Sequence, residues 1–136
     1  MDLAYPIILY PMERGTGFTV EAPDMPGLVT EGDSLAEAIL MAQDAAGGWI
    51  LDELEDGKRP PHPTPLSQIN LDEGGIATMV AFNMDTYAEK YGNKAIRKNL
   101  TIPAWLATFA EENDVNYSQV LRDALEKIYA EQLQDV

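Results

Sequence analysis

Residues 95–103 read Ala95-Ile96-Arg97-Lys98-Asn99-Leu100-Thr101-Ile102-Pro103, and how this stretch satisfies its backbone decides the carboxy-terminal fold. Ile96, Leu100 and Ile102 fall on one face of an extended chain, while Arg97, Asn99 and Thr101 fall on the other. That alternation predicts a half-buried strand. Pro103 suits the first turn of a helix, where a missing donor costs nothing. Trp105, Leu106, Phe109 and Ala110 form the apolar side of that helix. A turn at 113–116 follows, and Asn116 with Gln119 three residues on caps a second helix. Val120, Leu121, Ala124, Leu125 and Ile128 make its stripe, which Leu133 extends. One strand with two helices leaves a row of backbone donors and acceptors unmatched. About 40 residues also rarely bury enough surface to fold alone. Pairing with the same strand of a second copy solves both problems. It yields a two-stranded antiparallel ribbon on a four-helix base, the ribbon-helix-helix (β-α-α) arrangement.

Such a ribbon fits the DNA major groove, and its outward face carries base-reading chemistry. Arg97 can donate twice to guanine, Asn99 can exchange two bonds with adenine, and Thr101 offers a hydroxyl and a methyl. The amino end of the second helix, at Asn116, Tyr117 and Ser118, presents backbone donors suited to a phosphate. Lys94 and Lys98 add positive charge. Strict alternation points Lys98 inward, so its stem is expected at the ribbon's edge with the amine in solvent. A ribbon that only dimerises is the plainer alternative.

Upstream, the expected organisation is β-β-β-α-β, an α+β unit over 1–83. Leu3–Tyr10 is rich in β-branched and aromatic residues, Phe18–Ala22 alternates, and Leu28–Glu31 follows the turn Pro23-Asp24-Met25-Pro26-Gly27. Pro6 lacks an amide donor, which predicts an edge strand or a position facing away from a neighbour. Ser34 and Glu37 form a capping box for a helix reaching about Glu55. Leu35, Ala38, Ile39, Ala42, Ala46, Trp49, Ile50 and Leu54 form its apolar stripe, which Gly47-Gly48 interrupts either for close packing or for a bend. Prolines 60, 61, 63 and 65 forbid helix and stiffen the following segment. Ile76–Phe82 resumes alternation as a fourth strand, with Ile76, Thr78, Val80 and Phe82 on one face. Residues 84–94 read as a linker with a short helix at 84–91 and a break at Gly92-Asn93, ahead of a second domain at 95–136.

The net charge is −14, and residues 1–94 carry 16 acidic against 5 basic side chains. This opposes loose attachment to nucleic acid and favours encounter with a basic protein. Cysteine is absent and His62 is the lone histidine, so thiol chemistry and ordinary zinc sites are unavailable. No cofactor is expected. No apolar run reaches the roughly 20 residues of a membrane span, and no signal peptide is evident. The expected compartment is the cytoplasm.

A family likeness runs along the chain. Tyr5-Pro6-Ile7-Ile8-Leu9-Tyr10, Gly17-Phe18-Thr19-Val20, the Pro23–Gly27 turn, and Thr30-Glu31-Gly32-Asp33-Ser34 leading to Ala38 and Ala42 resemble the start of HicB antitoxins. Arg97–Pro103 and Asn116–Leu121 resemble the family's ribbon-helix-helix form. The resemblance implies a partial RNase H-like amino-terminal domain that binds a small basic HicA toxin, an mRNA-cleaving protein with a catalytic histidine. It also implies a carboxy-terminal domain that binds operator DNA and represses the operon. Candidate toxin contacts are Glu13, Phe18, Glu21, Asp24 and Asp33. The partners implied are the toxin, double-stranded operator DNA and a second copy of the chain, with further assembly into a tetramer left open. Gly47-Gly48 and Leu28 depart from the family, whose members usually carry larger helix formers and a cysteine there.

Two other functions compete with this one. A stand-alone ribbon-helix-helix regulator could use its first domain to bind another protein or a small ligand. A residual nuclease would need converging carboxylates to hold two metal ions. Glu13, Glu21, Asp24 and Asp33 are the nearest candidates, but turn and helix-dipole roles explain Asp24 and Asp33. No enzymatic activity is expected.

Overall fold

β1 (Asp2–Pro11) carries five consecutive buried residues, Tyr5 to Leu9, and this unbroken run sets it at the centre of a sheet rather than on a half-wet edge. The computed structural model describes residues 1–92 and 95–134, and the chain divides into two compact units, Asp2–Asn93 and Lys94–Val136. In the first unit β1 lies between β2 (Phe18–Glu21) and β4 (Ile76–Asn83), with β3 (Val29–Gly32) outside β2. All three pairings are antiparallel. The edge position considered for the Pro6 strand is therefore corrected. The β2 ladder begins only at Ile8, so Pro6 has no partner on that side and its missing donor breaks no bond there.

The register sorts the sheet into two faces. Tyr5, Ile7 and Leu9 share one with Val20 and Val80, and all five are buried. Helix α1 (Leu35–Glu55) covers this face through Ala38, Ala42, Ala46, Gly47 and Ile50. These small side chains let the helix sit close. At Gly32 a Cβ would come within 2.3 Å of the Ala38 amide nitrogen, so only glycine fits under the first turn. The capping box forms reciprocally: Glu37 N–H donates to Ser34 Oγ at 3.1 Å, and Asp33 N–H donates to Glu37 Oε2 at 3.2 Å. The buried stripe is narrower than expected, since Leu35 stands half exposed at the helix start.

Ile8 and Tyr10 face the opposite side, where the proline-rich segment returns across the sheet with a single 3₁₀ turn at Leu66–Gln68. It is tied down by Thr64, whose amide and hydroxyl donate to the two carboxylate oxygens of Asp24 at 2.9 and 2.6 Å. The Tyr5 hydroxyl donates to Pro61 O.

Helix α2 (Met84–Tyr91) starts at Asn83, whose side chain accepts from Thr86 N–H. It falls within the first compact unit. The reason is Gly47: a Cβ there would lie 2.6 Å from a Tyr87 ring carbon, so the bare helix backbone seats the ring. The glycine pair thus serves close packing.

The second unit contains α3 (Ala104–Glu112) and α4 (Tyr117–Gln134). The α3 start is marked by Pro103, whose carbonyl accepts from Leu106 and Ala107. Asp114 takes a left-handed φ of 52° in the inter-helix turn, and Asn116 Oδ1 accepts from Gln119 N–H at 3.1 Å as the cap of α4. Residues 95–103 join no helix and no ladder among the described residues.

Candidate nucleic-acid and partner-binding surfaces

The second unit presents an apolar surface it does not cover. Ile96, Trp105 and Phe109 are 76%, 70% and 56% exposed, and Leu100, Val120, Leu125 and Ile128 are each more than half exposed. Of the residues expected to form its core, Ala110 alone is buried. Solvating so many large side chains forfeits about 1.5–3 kcal/mol for each that could be fully buried. These side chains are the ones the sequence assigns to the inner face of a ribbon and to two helix stripes. Together they form an apolar surface that the single chain leaves open to solvent.

The predicted DNA-reading residues stand beside this surface. Arg97, Lys98, Asn99 and Thr101 are all exposed in the segment before α3. Lys94 lies outside the described residues. Asn116, Tyr117 and Ser118 open α4, with Asn116 engaged as cap and the Tyr117 hydroxyl donating to Ala107 O at 3.3 Å, which pins the start of α4 onto α3. The amino end of this helix and the 95–102 segment thus lie on one small module.

The five candidate toxin contacts are not gathered together. Glu13 is exposed in the β1–β2 connection. Phe18 and Glu21 occupy opposite ends of β2, and their odd spacing sends them to opposite faces of the sheet. Asp33 is exposed, with its amide in the capping box and its carbonyl accepting from Thr16 Oγ1. Both carboxylate oxygens of Asp24 are occupied by Thr64, which gives this acid the structural role its turn suggested. Among the described residues no group of three or more histidine, cysteine or acidic side chains could hold a metal ion. No helix among them is long and apolar enough to cross a membrane.

Two further features escaped the sequence reading. Tyr10 faces Glu21 and Asp72 beside a cleft of about 360 Å³, and its phenol is pushed above the usual value by desolvation, then by those two carboxylates. A larger cleft of about 520 Å³ opens between β3, α1 and α2, with Trp49, Tyr87 and Tyr91 on its walls. There desolvation, then Asp44, Tyr91 and Asp52, raises the Tyr87 phenol. Both clefts set aromatic rings beside acidic side chains. Only the spacing Asp44-Gly48-Asp52 on one helix face hinted at the second.

Comparison with known proteins places this architecture. Residues 5–124 match the family described as HicB-like antitoxin of bacterial toxin–antitoxin systems. An uncharacterized 14.9 kDa protein from the rep–hol intergenic region of Haemophilus phage HP1 is 31% identical over 102 residues, covering 73% of this chain and 76% of its own. Antitoxin HicB 1 of Photorhabdus laumondii is 38% identical over 71 residues, 52% of this chain and 45% of that protein, so the match spans about half of the antitoxin. Among solved structures, the toxin–antitoxin complex from Streptococcus pneumoniae contains a chain with TM-score 0.62 and 24% identity, covering 93% of this chain and 99% of that one. The Burkholderia pseudomallei antitoxin HicB gives 0.54 at 20% identity, covering 90% and 96%. The fold is thus shared along nearly the full chain, and the protein belongs to the HicB-like antitoxin family of bacterial toxin–antitoxin systems.

Proposed function

We propose that this chain neutralises a small basic HicA-type mRNA-cleaving toxin through its first unit and represses its own operon through its second. The reading places a partial RNase H-like fold in the first unit and a dimeric ribbon-helix-helix in the second. One observation carries the second half of the proposal: the large apolar side chains from Ile96 to Ile128 are exposed beside a backbone segment with no ladder partner. A second copy laid antiparallel along 95–102 supplies the missing ladder and covers those side chains at once. Arg97, Asn99 and Thr101 from both chains then share the outer face of the ribbon, and the amino end of α4 flanks it for phosphate. Lys94 and Lys98 add to the positive field.

Antitoxin action is supported by family membership and by charge. A strongly acidic first unit attracts a basic protein whose natural ligand is RNA, because carboxylates compete with phosphates for the same cations. No catalytic step is assigned to the chain, whose acids are scattered and whose Asp24 is engaged with Thr64.

Co-expression with the small basic protein encoded next to this gene tests the proposal. The expected result is a stable co-purifying complex, rescue of growth, and binding of the complex or the free antitoxin to the upstream DNA at two-fold related half-sites. If the neighbour is absent or does not bind while the DNA is still recognised, the chain is a stand-alone regulator.

A further inference from the structure

The cleft between β3, α1 and α2 has a shape and a chemistry that suit one kind of side chain. Asp44, Gly48 and Asp52 follow one another at four-residue intervals along α1, so they share one helix face over about 12 Å. Gly48 lies midway and contributes no side chain, which leaves a bare floor between two carboxylates. A Cβ at Gly48 would sit 3.1 Å from the Tyr87 hydroxyl, so even alanine would crowd the wall. On one side Trp49 is fixed by its indole N–H donating to Pro26 O at 3.3 Å. On the other, Tyr87 and Tyr91 pack ring to ring with centroids 4.7 Å apart. Lys90 already holds its ammonium 5.4 Å from the Tyr91 centroid, so the face of that ring accepts a cation. The carboxylates of Asp44 and Asp52 take part in no ion pair or hydrogen bond among the described residues.

We propose that this cleft receives an arginine side chain of a basic partner protein. A guanidinium is flat enough to slide over Gly48 and stack on tyrosine or tryptophan, and it presents several donors to carboxylates at its two ends. A lysine ammonium has the charge but neither the plane nor the fork. The exposed Val29 on the neighbouring edge strand offers apolar contact for the arginine's flanking residues. The partner's identity as toxin rests on the antitoxin reading; the site itself does not.

Two binding experiments on the full-length protein separate these claims. In the first, hexa-arginine and hexa-lysine peptides are titrated while Trp49 emission is followed, with a Trp49→Phe variant to isolate its signal from Trp105. Saturable hexa-arginine binding is expected, weaker by about tenfold for hexa-lysine and by about tenfold in Asp44→Asn/Asp52→Asn. A Glu31→Gln/Glu73→Gln variant removes the same charge elsewhere and is expected to bind within twofold of the native protein. Absence of saturation, equal binding of the two peptides, or equal loss in both double variants overturns the proposal. In the second, the neighbouring basic protein replaces the peptide. Weakening by Asp44→Asn/Asp52→Asn alone supports the cleft as its docking point, and unchanged binding of that variant overturns it. Failure of the native protein to bind the neighbour, with hexa-arginine still bound at Trp49, removes the toxin and leaves the arginine site standing.

Discussion

Replacing Gly47 by alanine sets two opposing effects against each other at one atom. In a helix interior alanine is favoured over glycine by about 1 kcal/mol. At this position the added methyl lies 2.6 and 2.7 Å from two ring carbons of Tyr87, against an ordinary carbon separation of about 3.5–4.0 Å. The ring must retreat by about 1 Å, and it is a rigid plate held between α1 and Tyr91. Overpacking of that kind costs about 1–3 kcal/mol, so the substitution should destabilise the first unit by about 0–2 kcal/mol net. In a Tyr87→Ala background the obstructing carbons are gone, and the same change should stabilise by about 1 kcal/mol. The coupling between the two positions is therefore about 1–3 kcal/mol. Urea unfolding followed by Trp49 emission, with Trp105→Phe in every variant, measures it. If Gly47→Ala has the same effect in both backgrounds to within about 0.5 kcal/mol, the account of the glycine pair as a seat for α2 is wrong.

Arg97→Ala or Asn99→Ala should weaken operator binding by about 1–3 kcal/mol each in a gel-shift titration while leaving toxin inhibition intact; equal loss of both activities would show that the two roles are not divided between the units. Leu100→Glu places a charge on the inner face of the proposed ribbon, so sedimentation should show loss of the dimer together with loss of DNA binding, and an unchanged dimer refutes the pairing. Asp24→Asn removes the charge from two hydrogen bonds to Thr64 and should destabilise the first unit by about 1–3 kcal/mol without altering any nuclease background, since none is expected; metal-dependent RNA cleavage that this change abolishes would overturn that assignment. Tyr87 has a raised folded-state pKa, so its contribution to stability is present below the ordinary phenol value near 10 and declines as pH rises through the folded value. Urea midpoints measured from pH 8 to 11 should fall less steeply in Tyr87→Phe.

The first unit was legible where a signal was local. Ser34 and Glu37 marked the start of α1 because a cap is a contact between near neighbours, and the glycine and proline breaks bounded the strands. Pro6 left two ways to spare a missing donor, and the one the chain uses depends on the length of β2, which a single strand does not reveal. Leu35 fits the apolar stripe by spacing, yet spacing does not report how much of a first-turn side chain its neighbours cover, and it stands half exposed. Tyr87 against Gly47 joins residues forty apart, and nothing in either stretch alone announces the other. The two aromatic-acidic clefts were hidden for the same reason, while the toxin candidates were chosen by residue type, and of these Phe18 and Glu21 fall on opposite faces of β2.

The second unit poses the reverse problem: its sequence speaks of contacts that one chain does not make. Alternation at Ile96, Leu100 and Ile102 is a demand for burial, and in the single chain all three remain exposed beside Trp105 and Phe109. An error in helix placement would scatter such residues around both helices. Instead α3 and α4 form where expected, with Asn116 capping the second, so the secondary structure agrees with the pattern while the burial does not. On the dimer reading that mismatch has a simple cause, because local periodicity is a property of one chain and burial belongs to the assembly. The same reasoning reconciles an acidic protein with DNA. On the proposed reading, recognition is confined to a short outward face that dimerisation would double, so Arg97 and Asn99 would act twice on a two-fold operator while the acidic first units discourage non-specific attachment. Salt should therefore weaken operator binding with a shallow slope, reflecting few phosphate contacts; a slope near that of a broadly basic repressor would contradict this division of charge.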